Sequence, residues 1–353
     1  MNADHIPSSV SSLPSQRCYI IAEAGVNHNG EADLAIELVR AAASTGADAV
    51  KFQSFRAESL VQPATKTAPY QKRNAGADDQ LSMLRKLELS PAAHEKAFQE
   101  CQKLGIEFLS TPFDLESARL LVSLGMRRIK VASGELTNHP FIQQLAQFRL
   151  PLIISTGMAD LAEIEQAVAA IRSARDSDEL NLTILHCTSD YPARPEDANL
   201  RAIQTIRDHF HLPVGLSDHT LGILAPVAAV ALGATVIEKH ITLDKAMPGP
   251  DHQASADPAE FAALVRAIRT TEASLGNGCK TPATRELEVR ALVRRSLFAA
   301  RDLPAGLAIS VDDVIALRPG TGIPPSMLPS LINRRLRGPI AKNTILCDED
   351  FIP

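Results

Sequence analysis

The chain has 353 residues, 45% of them hydrophobic and 22% charged, with a formal net charge of -5. That is an ordinary globular balance, long enough for two domains, or for one α/β barrel of about 250 residues and a small module. No basic excess or polybasic stretch points to nucleic acid or a membrane surface, and no apolar run reaches the ~20 residues of a membrane helix.

Residues 1–17 are polar, with Pro and Ser and without the basic start and apolar core of a signal peptide; they are expected to form a mobile tail. Eight short apolar runs follow, at 18–22, 49–52, 106–109, 128–131, 152–154, 182–185, 213–216 and 235–237. Each is nearly continuous in apolar character, as parallel strands buried on both faces are. Helical patterns fill the intervals, among them 32–44, 92–104, 161–172 and 223–232. Eight strand-then-helix units favour closure into a (β/α)₈ barrel over residues 18–275. No G-x-G-x-x-G follows the first run, which weakens a dinucleotide-binding reading. The connection 54–89 is long and polar, and such loops after a barrel strand are normally functional.

The barrel pattern fades after a helix near 261–274. Residues 276–293 read as a linker, and 294–353 as a small, mostly β module of short strands and Pro/Gly turns. Five scattered cysteines, without a C-x-x-C pair, argue against a disulfide framework or a thiolate zinc site and fit a reducing cytoplasm.

Barrel enzymes build their sites at the carboxyl ends of the strands. Here every such end is polar or ionisable. In strand order they carry Glu23 with Asn27 and His28; Lys51 and Gln53; Ser110, Thr111 and Asp114; Lys130, Ser133 and Glu135; Ser155 and Thr156; His186, Thr188, Ser189 and Tyr191; Ser217, Asp218 and His219; and Glu238, Lys239 and His240, then Asp244 and Asp251. Eight polar ends at once indicate an active site rather than solvation.

His219 and His240 end neighbouring strands, so both imidazoles can face one mouth and hold a catalytic divalent ion with open positions. Hydrogen bonding within a loop is the plainer alternative. Asp218 could orient an imidazole or simply face solvent, and His186 reads as a core or orienting histidine. Lys51 and Lys130 are cations in apolar strands. Burying either unpaired would cost several kcal/mol, so each needs an anionic ligand or a carboxylate such as Glu23, Glu135 or Glu238. Ser133, Ser155, Ser217 and the amides near Gly134 and Gly157 add donors suited to phosphate and carboxylate. Arg318, before a Pro-Gly turn, reads as a surface residue unless its module covers a barrel mouth.

The segments IIAEAGVNHNG, VKFQSF, FLSTPFD, KVASGEL, ISTGMA, LHCTSDYPA, GLSDHT and IEKHITLDKAMPGPDH, in this order, resemble the sialic acid synthase family, and the tail resembles its SAF, or antifreeze-like, domain. The resemblance covers nearly the whole chain. It implies condensation of phosphoenolpyruvate with an N-acylated amino sugar, in a domain-swapped homodimer whose SAF module caps the other chain's barrel. By the same resemblance His219 and His240 become manganese ligands, with magnesium or cobalt as alternatives. Lys51, Thr111, Lys130, Ser133, Ser155, Ser189 and Ser217 fall at phosphoenolpyruvate positions, Ser189 standing where some members have Asn. Gln53, Glu135 and Arg318 fall on the sugar side, and Glu23, Tyr191, Glu238 and Asp251 at catalytic positions. N-acetylmannosamine, giving N-acetylneuraminate, is the expected acceptor; a 2,4-diacetamido-2,4,6-trideoxy sugar, giving N,N'-diacetyllegionaminate, is the alternative. A Schiff-base aldolase using Lys51, Lys130 or Lys239, and a non-catalytic sugar-binding barrel, are the rival readings.

Overall fold

The computed structural model describes residues 17–63, 65–67, 79–175 and 180–353. The chain divides into two units, meeting at Gly278 and Cys279. In the first, eight parallel strands run β1 Tyr19–Gly25, β2 Ala49–Ser54, β3 Glu107–Pro112, β4 Ile129–Val131, β5 Leu152–Ser155, β6 Leu182–Cys187, β7 Val214–Asp218 and β8 Val236–His240. Their order is β3-β2-β1-β8-β7-β6-β5-β4. The two ends of that order, β3 and β4, lie against each other, so the sheet curls into the expected barrel. No backbone ladder joins that one seam among the described residues.

The strands lie where the apolar runs do, and all but β4 extend one to three residues further, as from 235–237 to Val236–His240. The added residues include most of the polar ones, Glu23, Gln53, Ser110, Thr111, Ser155, Ser217, Asp218, Glu238, Lys239 and His240 among them. Eight helices are wound between and after the strands: α1 Ala32–Thr45, α4 Pro91–Leu104, α5 Leu115–Leu124, α6 His139–Ala146, α7 Leu161–Ser173, α8 Ala202–Phe210, α9 Leu224–Ala231 and α10 Pro258–Leu275, with α2 Ala57–Leu60 and α3 Gln80–Leu87 in the connection after β2. Their starts are written locally. Asp160 and Asp257 each accept the amide three residues on, from Glu163 and Glu260, whose carboxylates return the bond. Residues 64 and 68–78 of the 54–89 connection lie outside the described residues.

The apolar faces of the helices pack on the outward-pointing strand residues, with Ile20, Ala22, Leu38, Phe52, Leu121, Ile142 and Phe261 fully buried. Barrel-side residues alternate with these, as the two-residue period of a strand requires. The register sets Glu23 beside both Lys51 and His240, Gln53 beside Thr111, and Ser217 beside both Cys187 and Glu238.

In the second unit the 276–293 stretch carries a helix, α11 Thr284–Val293. The rest is largely β: strands β9 Ser296–Ala299 and β10 Val314–Leu317 pair antiparallel, and single bridges tie Phe298 to Ile345, Leu303 to Ile340 and Leu336 to Phe351. Leu297, Leu303, Ile309, Leu336, Leu346 and Phe351 form its own small core. Among the described residues no helix is long and apolar enough to cross a membrane.

Candidate active site

Two buried lysines and two buried carboxylates make the floor of the barrel mouth. Lys51 Nζ lies 2.5 Å from Glu23 Oε2 and 3.7 Å from Glu238 Oε2. Lys130 Nζ lies 3.7 Å from Glu238 Oε1. Hydroxyls complete the lining: Lys51 donates to Thr111 Oγ1 at 3.0 Å, Lys130 to Ser155 Oγ at 2.6 Å, and Ser217 Oγ to Glu238 Oε1 at 2.9 Å. Gln53 Nε2 donates to Glu23 Oε1 at 3.0 Å. Gly25, at φ +55°, ends this strand; a Cβ there would sit 3.3 Å from Glu23 Oε1 and 3.5 Å from His240 Cε1.

The two carboxylates differ. Burial pushes the Glu23 carboxyl above its usual range, and the single Lys51 ammonium does not offset it. Burial acts on Glu238 too, but Lys130 and Lys51 on one side and Ser217 on the other outweigh it and hold the group below its usual range. Glu238 Oε2 is buried and accepts no hydrogen bond among the described residues, so it retains capacity for a ligand. Burial also lowers Lys130, whereas on Lys51 the two carboxylates prevail over burial and raise it.

Beside this floor, Ser133, Gly157, Cys187 and Ser189 converge. The Gly157 amide donates to Ser133 Oγ at 2.9 Å, and Cys187 Sγ lies 4.0 Å from Ser189 Oγ. A Cβ on Gly157 would meet Ser189 Oγ at 2.1 Å and Ser133 Oγ at 2.9 Å. Cys187, not singled out by its residue type, belongs to this pocket, and its neighbour His186 does not. Alternation from Ser217, its neighbour in register, places Cys187 inside, while His186 points away and bonds the Ala198 carbonyl at 2.8 Å.

His219 and His240 meet across the rim, ring centroids 5.4 Å apart, with Tyr191 4.1 Å from the first and 5.7 Å from the second. His219 Nδ1 bonds the Thr188 carbonyl at 2.7 Å, which fixes the ring and turns Nε2 to other use. His240 Nδ1 is buried with no hydrogen-bond partner among the described residues. Burial holds His240 neutral, well below the usual imidazole range. An orphaned buried nitrogen on a ring whose neighbour, 5.4 Å away, is a second, oriented imidazole fits a divalent ion. No cluster of three or more His, Cys, Asp or Glu that could hold a metal occurs among the described residues. Asp251, 8% exposed, has its pKa pushed up by burial to about 6.

Two further expected residues, Glu135 and Lys239, have hydrogen-bond partners of their own, and a third, Arg318, belongs to the second unit. Glu135, in the turn after β4, is half-buried and accepts from Asn138 Nδ2 at 2.8 Å. Arg318 is exposed in the second unit, just after β10. Lys239 points to the outer face, where Asp218 Oδ2 takes its ammonium at 2.6 Å; Asp218 therefore serves Lys239 and not an imidazole.

Residues 38–280 match the NeuB family and residues 294–352 the SAF domain. The chain belongs to the NeuB family. Membership makes it a carbon–carbon bond-forming, phosphoenolpyruvate-dependent transferase of the sialic-acid-synthase type, as the resemblance implied. Among relatives, the N,N'-diacetyllegionaminic acid synthase of Legionella pneumophila is 52% identical over 94% of each chain. That of Campylobacter jejuni is 47% identical over 87% of this chain and 92% of its own. Among solved structures, the N-acetylneuraminic acid synthetase of Leptospira borgpetersenii in complex with citrate superimposes with a TM-score of 0.70 at 34% identity, over 78% of this chain and 90% of its own. The NeuB family's barrel-then-SAF order is thus the order found here.

Proposed function

We propose that this NeuB-family chain condenses phosphoenolpyruvate with 2,4-diacetamido-2,4,6-trideoxymannose and water, giving N,N'-diacetyllegionaminate and phosphate. The observation that carries the choice of sugar is the 52% identity, over 94% of both chains, with a protein named for that product. N-acetylmannosamine remains the second reading, supported at 34% identity by the N-acetylneuraminic acid synthetase.

The paired charges support the chemistry. Phosphoenolpyruvate carries the anions that Lys51 and Lys130 lack once they turn from the carboxylates. Thr111, Ser133, Ser155, Ser189, Ser217 and the Gly157 amide would donate to its phosphate and carboxylate. Gln53, Glu135 and Arg318 would hold the sugar, and Tyr191 would flank it. A divalent ion held by His219 and His240, manganese first and magnesium or cobalt as alternatives, would supply Lewis-acid polarisation of the sugar aldehyde. The phosphoenolpyruvate methylene carbon bonds to the aldehyde carbon, and positive charge develops at the enol carbon bearing the phosphate oxygen. Glu238, ionised and with one oxygen uncommitted, suits stabilisation of that charge. Glu23, whose affinity for a proton is raised, suits taking the proton of the water that adds there, before phosphate leaves. Asp251 suits proton handling on the sugar side.

The reading includes the domain-swapped homodimer, with Arg318 supplied by the second copy, and a cytoplasmic setting. The test is phosphate release from phosphoenolpyruvate with each sugar in parallel. A higher kcat/KM with the diacetamido sugar is expected. Preference for N-acetylmannosamine would hand the choice to the second reading, and no release with either would leave a binding protein.

A further inference from the structure

We infer that Asp218 and Lys239, which touch no substrate position, are positioning residues that set the distance between the His219 and His240 imidazoles. The inference rests on the reading of those two histidines as the site of a divalent ion.

Asp218 and Lys239 are register partners across β7 and β8, and they are the last pair of the ladder between these strands. The next residue on each chain is the histidine. Strand alternation puts the histidines on the barrel side and this pair on the outer side. The pair therefore clasps the two strand ends directly behind the imidazoles.

The clasp is saturated. Lys239 Nζ donates to Asp218 Oδ2 at 2.6 Å and to the Thr220 carbonyl at 2.6 Å. Asp218 Oδ1 accepts from the Thr220 amide at 3.1 Å and from its hydroxyl at 2.8 Å. Residues 218 and 220 are thus both tied to position 239, and His219 is the residue between them. Its own carbonyl is held separately, by the Ala193 amide at 2.9 Å. On the other strand the His240 carbonyl accepts from the Ala256 amide at 2.9 Å, and on the outer face of this end the lysine ammonium links the two strands, as Ser217 Oγ and Glu238 Oε1 do on the barrel side. Both side chains are almost wholly out of solvent, at 3% and 2% exposure. Two charges placed there serve the helix-facing side poorly as packing; apolar residues of the same volume would fill it at no desolvation cost. What the pair adds is a fixed geometry between two adjacent backbones. Metal-site histidines are commonly oriented through the ring nitrogen away from the ion, as His219 is by Thr188. Here a second device fixes the backbone positions from which both rings project.

The experiment compares Lys239→Met, Asp218→Asn, the double variant D218N/K239M and Lys239→Arg with wild type, on the full chain. Mn2+ affinity is read by the electron spin resonance of free Mn2+ during titration, beside the thermal midpoint. The expected result is a tenfold or greater loss of Mn2+ affinity in Lys239→Met and Asp218→Asn, with most of it regained in Lys239→Arg. Should a single variant not fold, the double variant, which buries no unpaired charge, decides, and the same tenfold loss is expected of it. Affinity within twofold of wild type in a folded variant, whatever its midpoint, overturns the inference while leaving the metal reading intact. Wild type that binds no Mn2+, or His240→Ala that binds it unchanged, overturns both.

Discussion

The Lys51 ammonium lies 2.5 Å from Glu23 Oε2, and both side chains are buried. Glu23→Gln keeps the shape and a hydrogen bond to Gln53 but cannot take a proton. Because it also frees Lys51 for an incoming anion, the KM for phosphoenolpyruvate should not rise. The expected loss is in kcat, about 10²–10⁴-fold for removal of a positioned base. Turnover at the wild-type level with saturating substrates would remove Glu23 from the catalytic machinery.

Gly157 tests the anion pocket separately. Its φ is ordinary, so a side chain there meets a problem of space and not of backbone strain. The added methyl of Gly157→Ala would fall 2.1 Å from Ser189 Oγ and 2.9 Å from Ser133 Oγ, the two hydroxyls proposed to meet phosphate. The fold should survive by rotation of the serines, and the KM for phosphoenolpyruvate should rise by at least tenfold with the sugar KM little changed. Equal kinetics for both substrates would place phosphate elsewhere.

The strands and the polar mouth were legible because a parallel barrel strand is a short apolar word, and its departure from apolarity marks the end that faces the site. Lys51, Lys130 and Glu238 stand out in that text because nothing but a partner makes a buried charge tolerable. What the sequence withheld was pairing across strands. Nothing local says that Glu238 faces two lysines and Glu23 one, which is the difference that separates their proton affinities. Cys187 was hidden because the more conspicuous His186 stood next to it. Asp218 looked available to an imidazole until the register matched it with Lys239. The helix at 284–293 escaped notice because it buries none of its residues and has no apolar stripe to read.

The two facing imidazoles predict dependence on an added ion. Protein treated with a strong chelator and desalted should release no phosphate, and Mn2+, with Mg2+ or Co2+ as substitutes, should restore it. His240→Ala should stay inactive at ion concentrations that saturate wild type. Full turnover in excess chelator would move the reaction to another electrophile, and trapping with borohydride would then be the informative measurement on Lys51 and Lys130.

Among the described residues the β3–β4 seam has no backbone ladder, and a forked ion pair stands at its lower end. Glu107 opens β3; Arg128, immediately before β4, reaches it with Nε at 2.8 Å and Nη2 at 3.1 Å, and lies 4.4 Å from the centre of the Tyr19 ring. Tyr19 in turn donates to Glu107 Oε2 at 2.8 Å. Arg128→Ala should lower stability by about 1–2 kcal/mol, more than an isolated surface pair because geometry is bidentate and the ring is lost as well. Substrate KM values should not move, since the cluster lies at the end of the barrel opposite the site. A denaturant midpoint equal to wild type would mean that side-chain packing alone closes the seam.

Asp251 gives a pH-dependent stability with a definite sign. Burial raises its pKa from 3.8 to about 6, so between these values the folded chain keeps a proton that the unfolded chain has released. Stability from this group is complete below pH ~4 and is lost as pH rises through ~6; at pH 7 and above the folded state carries an ionised buried carboxylate at a cost of about 3 kcal/mol. Asp251→Asn has nearly the same shape and no charge to bury. Its stability relative to wild type, from urea unfolding of chelator-treated protein, should therefore climb between pH 4 and pH 7.5 by up to that amount, then level off. The variant should at the same time lose turnover if Asp251 handles a proton on the sugar side, which would make the residue one kept at the expense of stability. A stability difference that does not change with pH would mean that the Asp251 carboxyl is hydrated or paired in solution and is not the strained acid described here.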